Sequence, residues 1–471
     1  MGAVRLALPA ALALWFIWQA RRRPLFLLGI PVLMATGGSV FFQNAKPFWM
    51  PGRLSQVTLI MIWLTIVWGI TIMRRSGPDG EGAPVGPFGP ARVLPEELLL
   101  MAIAALVAVH TFSAFSASGD LMGAMTLAAA TIYSLVGYLF LRGILSRASR
   151  AETKQFLAAV VVVNTGACAL YILDQGLHIP IYLGAANITY VFQGQSIARG
   201  TVYQPVFNVL ALGFVLAKRR WTPFWLAVLG ITLEAIIVSL TRTMLIAAVA
   251  GLVVAVVARE LVHPDFTRIA RRTGATVFAA VAVVVVFSRV VPTYWDYMLK
   301  RLDEFISPKN GQVENWQVRV IHWDAVQHVV AKIDMVFGLG FPQPGSNAVD
   351  SHIWLWSSDM AWLPIMYRFG YVGLVLFALL IGCFMARALA VSFKPPEMRR
   401  ELALAYFVVL TLTFIMSFEN WVFMNPDVFP VGLLVFALIT VEALRPSELP
   451  ETAAAPLPPP SLTQASHRAG P

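Results

Sequence analysis

The sequence predicts an all-α, polytopic membrane protein of about twelve to thirteen transmembrane helices with one large external loop, and three observations carry that expectation. The first is composition: 58% of the 471 residues are hydrophobic and only 13% are charged, well below the roughly one-quarter charged share of a soluble domain. A water-soluble fold could not cover that much apolar surface. The second is block length. The apolar residues fall in continuous runs of about 15 to 25, the length that crosses ~30 Å of hydrocarbon as a helix. A transmembrane barrel would show alternating segments of about ten residues instead. The third is that basic residues follow every second block.

In chain order the expected spans lie near 4–20, 25–42, 55–73, 97–117, 121–143, 155–174, 203–217, 221–239, 243–258, 274–291, 361–386, 402–418 and 429–444. The first carries its charges after the apolar run, the reverse of a cleavable signal peptide, so it is read as a span. Basic clusters follow the first span (Arg21, Arg22, Arg23), the third (Arg74, Arg75), the fifth (Arg142, Arg147, Arg150), the seventh (Lys218, Arg219, Arg220) and the ninth (Arg259, Arg268, Arg271, Arg272). The positive-inside rule places those loops in the cytoplasm and leaves 43–54, 175–202, 292–360 and 419–428 outside.

The organisation that follows is an N-terminal set of spans (1–174), a central set with an external loop at 175–202 (175–291), and a large external loop (292–360). A C-terminal set of spans (361–445) and a Pro/Ala/Ser-rich tail (446–471), read as disordered and cytoplasmic, complete the chain. The Gly/Pro-rich loop Gly77–Pro90 is read the same way. Net charge of +10 does not indicate nucleic acid, because the basic residues sit between spans. Cys168 and Cys383 lie inside apolar blocks, so no disulfide framework is expected.

Chemistry is sought on the external side. Some 69 residues without a span, 292–360, exceed what a connector needs. Within them Val313–Val336 has helical periodicity: Trp316, Val320, Trp323, Val326 or Gln327, and Val330 recur on one face. Two readings are open: an amphipathic helix lying on the membrane with Arg319 and Lys332 at lipid headgroups, or a substrate-binding element. Arg242, in Ser239-Leu240-Thr241-Arg242-Thr243, sits at an outer span junction, where it either snorkels or grips phosphate oxygens at two points. Glu234, eight residues earlier, is its candidate counter-ion. His352 and Asp359 precede the eleventh span, and either can serve as a general base. Among membrane-embedded positions His110 and Glu234 are the main ionisable exceptions.

Metal-ligand spacings and a phosphate-binding Gly-Lys-Ser/Thr loop are absent from the sequence. The expected chemistry therefore uses no metal, cofactor or nucleotide, and draws on an ion gradient or an activated substrate.

Four elements, in order, resemble the O-antigen ligase and polymerase family of bacterial envelope proteins. They are Arg199-Gly200-Thr201-Val202-Tyr203-Gln204-Pro205 before a span, and Ser239-Leu240-Thr241-Arg242 opening one. Arg319-x-x-x-Trp323 followed by Gly338-Leu339-Gly340 is the third, and Asp359 ahead of Phe369-Gly370-Tyr371-Val372-Gly373-Leu374 the fourth. The resemblance covers roughly 195–385 and rests on the order and placement of these motifs.

It implies a C-type glycosyltransferase membrane fold in the bacterial cytoplasmic membrane and a glycan donor carried on undecaprenyl diphosphate at the outer, periplasmic face. Arg242 and Arg319 would hold the diphosphate, with Arg199 a third candidate that otherwise shapes its loop. Asp359 stands eleven residues before Gly370, where the ligase branch commonly has histidine. The resemblance therefore favours a polymerase of repeat units over a ligase that transfers glycan to lipid A core. The base stays open between Asp359 and His352. A chain-length regulator or a flippase is the implied protein partner. Trp354, Trp356, Trp362 and Tyr367 either stack sugars or belong to the interfacial aromatic belt.

The rival from another class is a transporter or flippase for lipid-linked glycans. It predicts charges deep in several spans and paired broken helices, and no clear inverted pair of broken helices is visible in the sequence.

Overall fold

The computed structural model describes residues 2–31, 56–75, 87–173, 188–192, 195–199, 223–239, 242–262, 292–306, 315–340, 362–416 and 429–445, with isolated positions 208, 210, 274, 282, 285, 286, 288 and 289. Apart from those isolated positions, the expected spans 203–217 and 274–291, most of 25–42, and the tail 446–471 lie outside them.

Helices dominate. α1 (Gly2–Ala20) leads through a 3₁₀ turn at Pro24–Leu28 towards α2 (Gln56–Arg75), α3 (Pro95–Ser118), α4 (Leu121–Ser146) and α5 (Arg150–Tyr171). An antiparallel hairpin follows, β1 (Ile188–Phe192) and β2 (Gln195–Arg199), with Ile188 opposite Arg199 and Phe192 opposite Gln195. Then come α6 (Pro223–Val238), α7 (Arg242–Val262), α8 (Pro292–Ile306), α9 (Asn315–Ile333), α10 (Trp362–Ser392), α11 (Glu397–Met416) and α12 (Phe429–Leu444).

This is a membrane protein. Among the described residues α3, α5 and α10 are long and apolar enough to cross a bilayer, and shorter apolar stretches recur at Ala10–Ala20, Leu59–Met73, Leu135–Ser146, Pro223–Val238 and Leu433–Leu444. Leu98, Met101, Val109 and Phe112 are exposed along α3, and Val249, Val253, Val257 and Leu261 along α7. Spacings of three and eight on α3, and of four on α7, put each set on one helix face. In hydrocarbon such a stripe incurs no penalty, whereas in water it would drive aggregation.

The stripe on α7 has its complement on the opposite face. Ala247, Ala248, Ala255 and Ala258 are buried there, and a Cβ on Gly251 would run into Leu412 of α11. Small residues let helix backbones approach closely where no hydrophobic drive between helices exists. α11 itself is buried all round from Leu402 to Leu412, apart from half-buried Phe407, and the buried Thr411 hydroxyl returns a hydrogen bond to the Phe407 carbonyl at 2.9 Å. A helix apolar on every face belongs in the centre. α11 accordingly packs on α7, α10, α12 and α5, and Phe384 of α10 stacks on Phe436 of α12 with ring centroids 4.2 Å apart.

The basic loops meet glutamates at one end of the molecule. Glu442, near the end of α12, accepts from Arg150 at 2.9 Å and Arg445 at 2.5 Å, and Arg399 lies 3.9 Å away. Arg445 also caps the end of α4 by donating to the Leu145 carbonyl at 2.8 Å and to that of Ala148. Arg399 donates to the Glu442 carbonyl at 2.7 Å and to that of Arg445. Glu97 of α3 pairs with Arg142 at 3.0 Å and accepts from Tyr138 at 2.9 Å. Glu96 pairs with Arg387 of α10 at 2.6 Å, and Lys154 with Glu401.

In the sequence pattern Arg142 and Arg150 belong to a basic loop that faces the cytoplasm. Both are buried, at 7% and 6% exposure, because each meets a carboxylate of another helix, Glu97 of α3 and Glu442 of α12, that the one-dimensional pattern does not display.

Helix bounds differ from the expected spans in ways that have local causes. Pro95 opens α3, with Glu97 accepting the Leu94 N–H at 2.9 Å, and Gly119 at φ 69° closes it. Ser149 caps α5 by accepting from the Glu152 N–H at 3.1 Å. Pro24 starts a 3₁₀ turn where a membrane helix was expected from 25.

Removing one carboxylate from a buried arginine cluster leaves uncompensated charge. Glu442→Ala is predicted to destabilise the protein by about 3–5 kcal/mol, read as a lowered thermal unfolding midpoint in detergent. An unchanged midpoint would show that the cluster contributes nothing.

Candidate functional site

The site is built around a break. α10 is interrupted at Gly370, whose φ of 60° and ψ of −157° no helix contains and which is essentially restricted to glycine. Within an unbroken helix the Tyr371 and Val372 N–H groups would donate to the Tyr367 and Arg368 carbonyls. Here all four groups turn outward, to the segment that follows α9. Leu339 N–H donates to the Tyr367 carbonyl at 2.8 Å and Gly340 N–H to that of Arg368 at 2.9 Å, while Tyr371 and Val372 donate to the carbonyls of Met335 at 3.2 Å and Val336 at 3.1 Å.

Both of these helical hydrogen bonds are thereby replaced from the loop. A bilayer interior requires such replacement, since no water is present to do it. Glycines make the approach close enough. A Cβ on Gly338 would meet the backbone of Arg368, Phe369 and Gly370, and one on Gly370 would meet the Val336 carbonyl. Gly338 and Gly340 also hold positive φ, 76° and 71°. Asp334 shapes the turn, its carboxylate accepting from the N–H groups of Val336 and Phe337, both at 2.9 Å.

Two of the sequence motifs, Gly338-Leu339-Gly340 and Phe369-Gly370-Tyr371-Val372-Gly373, are therefore halves of one structure. α9 comes with them. Val326 and Val330 are buried against Leu363, Met366 and Tyr367 of α10, and the Gln327 amide donates to the Tyr371 hydroxyl at 3.2 Å. The expected helix Val313–Val336 is observed as Asn315–Ile333. Its apolar face is only partly as expected: Trp323, Val326 and Val330 face α10, but Val320 is 43% exposed.

His110 completes the junction from α3. Its ring centroid lies 5.5 Å from that of Phe369, and a Cβ on Gly340 would press on its Nδ1. The ring is buried, and its Nε2 has no hydrogen-bond partner among the described residues. The sequence marked His110 only as an ionisable residue inside a span, with no indication of which loop it would meet.

The remaining candidates lie on separate elements. Arg242 is the first residue of α7, soon after the buried Ser239 whose hydroxyl donates to the Ile236 carbonyl at 2.7 Å. Arg319 is on α9, and Arg199 ends β2. Glu234 is half-buried on α6. His352 and Asp359, the candidate bases, lie outside the described residues, as do Trp354 and Trp356. Trp362 and Tyr367 are buried in the helix core, which favours packing over a sugar-stacking role.

A second helix in the expected external loop went unread in the sequence. α8 buries Tyr294, Tyr297 and Met298 against Cys168, Tyr171 and Ile172 of the α5 end and Ala235, Ile237 and Val238 of the α6 end, and exposes Asp296, Lys300 and Asp303. Its signal was present in Tyr294, Tyr297, Met298 and Arg301, but the charged residues between them read as loop. Both cysteines are free thiols.

No family model matches this chain, and no curated protein is significantly similar to it.

Gly370→Ala is predicted to lower stability by about 1–3 kcal/mol or more. Gly382→Ala, where a Cβ meets nothing within 4 Å on the same helix, is predicted to be neutral or stabilising by about 0.5–1 kcal/mol. Thermal unfolding of the two variants side by side checks this; equal midpoints would mean that the break does not depend on glycine.

Proposed function

We propose that this protein is a polymerase that joins undecaprenyl-diphosphate-linked oligosaccharide repeat units at the outer face of a bacterial cytoplasmic membrane, in a C-type glycosyltransferase-like fold of about twelve or thirteen spans. The observation that supports the reading best is the junction itself. Motifs that resemble the O-antigen ligase and polymerase family only weakly one by one, Gly338-Leu339-Gly340 and Phe369 to Gly373, are hydrogen-bonded to each other. That pairing ties the helix bearing Arg319 to the span that follows Asp359.

In the proposed reaction an acceptor sugar hydroxyl attacks the anomeric carbon of the donor glycan. The new glycosidic bond forms as the bond from that carbon to the phosphate oxygen breaks, with inversion, and undecaprenyl diphosphate leaves. Asp359 or His352 takes the hydroxyl proton. Arg242 and Arg319, with Arg199 as third candidate, stabilise the charge that develops on the leaving diphosphate, as fixed cations do best where water is excluded. The donor bond is already activated, so positioning supplies most of the remaining acceleration.

A ligase that transfers the glycan to lipid A core would use the same donor and the same arginines. A transporter is favoured by one observation, the break in α10, since interrupted helices frequently form substrate sites in transporters. Against it, the four backbone groups released by the break are bonded to the 335–340 segment and so do not offer themselves to a substrate.

Purified protein supplied with undecaprenyl-diphosphate-linked repeat units is predicted to give a ladder of lengthening lipid-linked glycans without added nucleotide. Arg242→Ala and Arg319→Ala should each slow the ladder by about 10²-fold or more, and whichever of Asp359→Ala and His352→Ala abolishes it identifies the base. Transfer only to added lipid A core would make the protein a ligase. Glycolipid crossing proteoliposomes with no new glycosidic bond would make it a transporter and overturn the enzyme reading.

A further inference from the structure

The depth of the 334–340 segment can be read from the helices it touches. Glu96 of α3 and Arg387 of α10 form an ion pair at 2.6 Å, which sets the two helices level at their basic-loop end. Arginine and glutamate side by side at the ends of two apolar spans mark the boundary of the hydrocarbon. Counting outward along α10 from Arg387, Tyr371 is 16 residues away, or about 24 Å at the helical rise of 1.5 Å per residue. The hydrocarbon is about 30 Å thick.

Met335 and Val336 bond directly to Tyr371 and Val372, so they lie at the same level. α3 gives an independent reading. His110, against which Gly340 packs, is 14 residues from Glu96, about 21 Å. Both rulers stop short of the far boundary.

The chemistry of the segment agrees with that depth. Its inner side is built into the protein: Gly340 is buried, and Leu339 packs with Val326, Val330 and Leu363. Its outer side presents three consecutive large apolar residues, Met335, Val336 and Phe337, exposed at 45%, 52% and 50%. In an aqueous loop such a run would be an error of design. The neighbouring surface is already lipid-facing, since Val109 and Phe112 flank His110 on α3 and are among the most exposed apolar residues there. Irregular backbone is tolerated at membrane depth only where protein satisfies it, and the four hydrogen bonds to the α10 break provide that.

We infer that Asp334–Gly340 is a re-entrant loop set in the outer leaflet, with its Met335-Val336-Phe337 face covered by lipid acyl chains. The large loop expected outside the membrane thus returns into it before the eleventh expected span. α9 is anchored to the bilayer by this insertion as well as by packing on α10. The inference does not depend on what the protein transfers.

The test is the collision accessibility of nitroxide labels on single cysteines, in full-length protein with Cys168→Ala and Cys383→Ala, reconstituted in liposomes. Labels at Met335, Val336 and Phe337, like the lipid-facing control at Val109, are expected to collide more with oxygen than with a water-soluble nickel chelate. Labels at Asp324 and His328, exposed on α9, should show the reverse. Nickel preference at 335–337 alongside oxygen preference at Val109 overturns the proposal. For the unmodified chain, lipids bearing a diazirine on the acyl chain should insert into Met335–Phe337 on irradiation; labelling of α3 at Val109–Phe112 with none at 335–337 would likewise overturn it.

Discussion

A helix surrounded by lipid cannot break unless something else takes up the peptide groups it releases. In α10 that requirement is met by the loop that follows α9, and most of the candidate site follows from the exchange. Because Leu339 and Gly340 must reach Tyr367 and Arg368, and Met335 and Val336 must reach Tyr371 and Val372, the end of α9 is fixed against the break. With its end fixed, α9 lies along the first part of α10 and closes its apolar face over Leu363 and Met366. His110 then has Gly340 on one side and Phe369 on the other. One backbone irregularity organises three elements.

The opposite end of the molecule is held by charge. Arginines from the start of α5, from α11 and from just past the end of α12 gather on Glu442, and Glu96 and Glu97 bind α3 to α10 and α4. Buried ion pairs are poor net stabilisers compared with apolar contacts but costly to break, so they act chiefly as registers. Apolar helices slide past one another readily in hydrocarbon; a carboxylate that must meet a guanidinium fixes their relative height. The two ends thus divide the work: ion pairs set the frame, and the break with its loop sets the site.

Much of the frame was legible in the sequence because hydrocarbon imposes its own length on helices. Pro95–Ser118, Arg150–Tyr171 and Trp362–Ser392 stand out as apolar runs without any knowledge of packing. The arginines were visible, but their glutamate partners were not, since Arg150 and Glu442 are 292 residues apart. At the site, Gly338, Gly340 and Gly370 could be singled out as a pattern, yet nothing in a linear reading says that two glycine motifs complete each other's hydrogen bonds. α8 was missed because its buried residues alternate with charges that face outward. Arg242, Arg319 and Arg199 were placed on α7, α9 and β2, and their relation to one another rests on the proposed chemistry.

The central claim, that the loop after α9 replaces the helical hydrogen bonds of α10, is tested most directly by amide hydrogen exchange on the wild-type protein in lipid nanodiscs. The account predicts that Leu339 and Gly340 exchange as slowly as Tyr371 and Val372, all four at rates typical of the neighbouring helix. Rapid exchange at Leu339 and Gly340, with Tyr371 and Val372 equally unprotected, would contradict it and leave the break in α10 without partners.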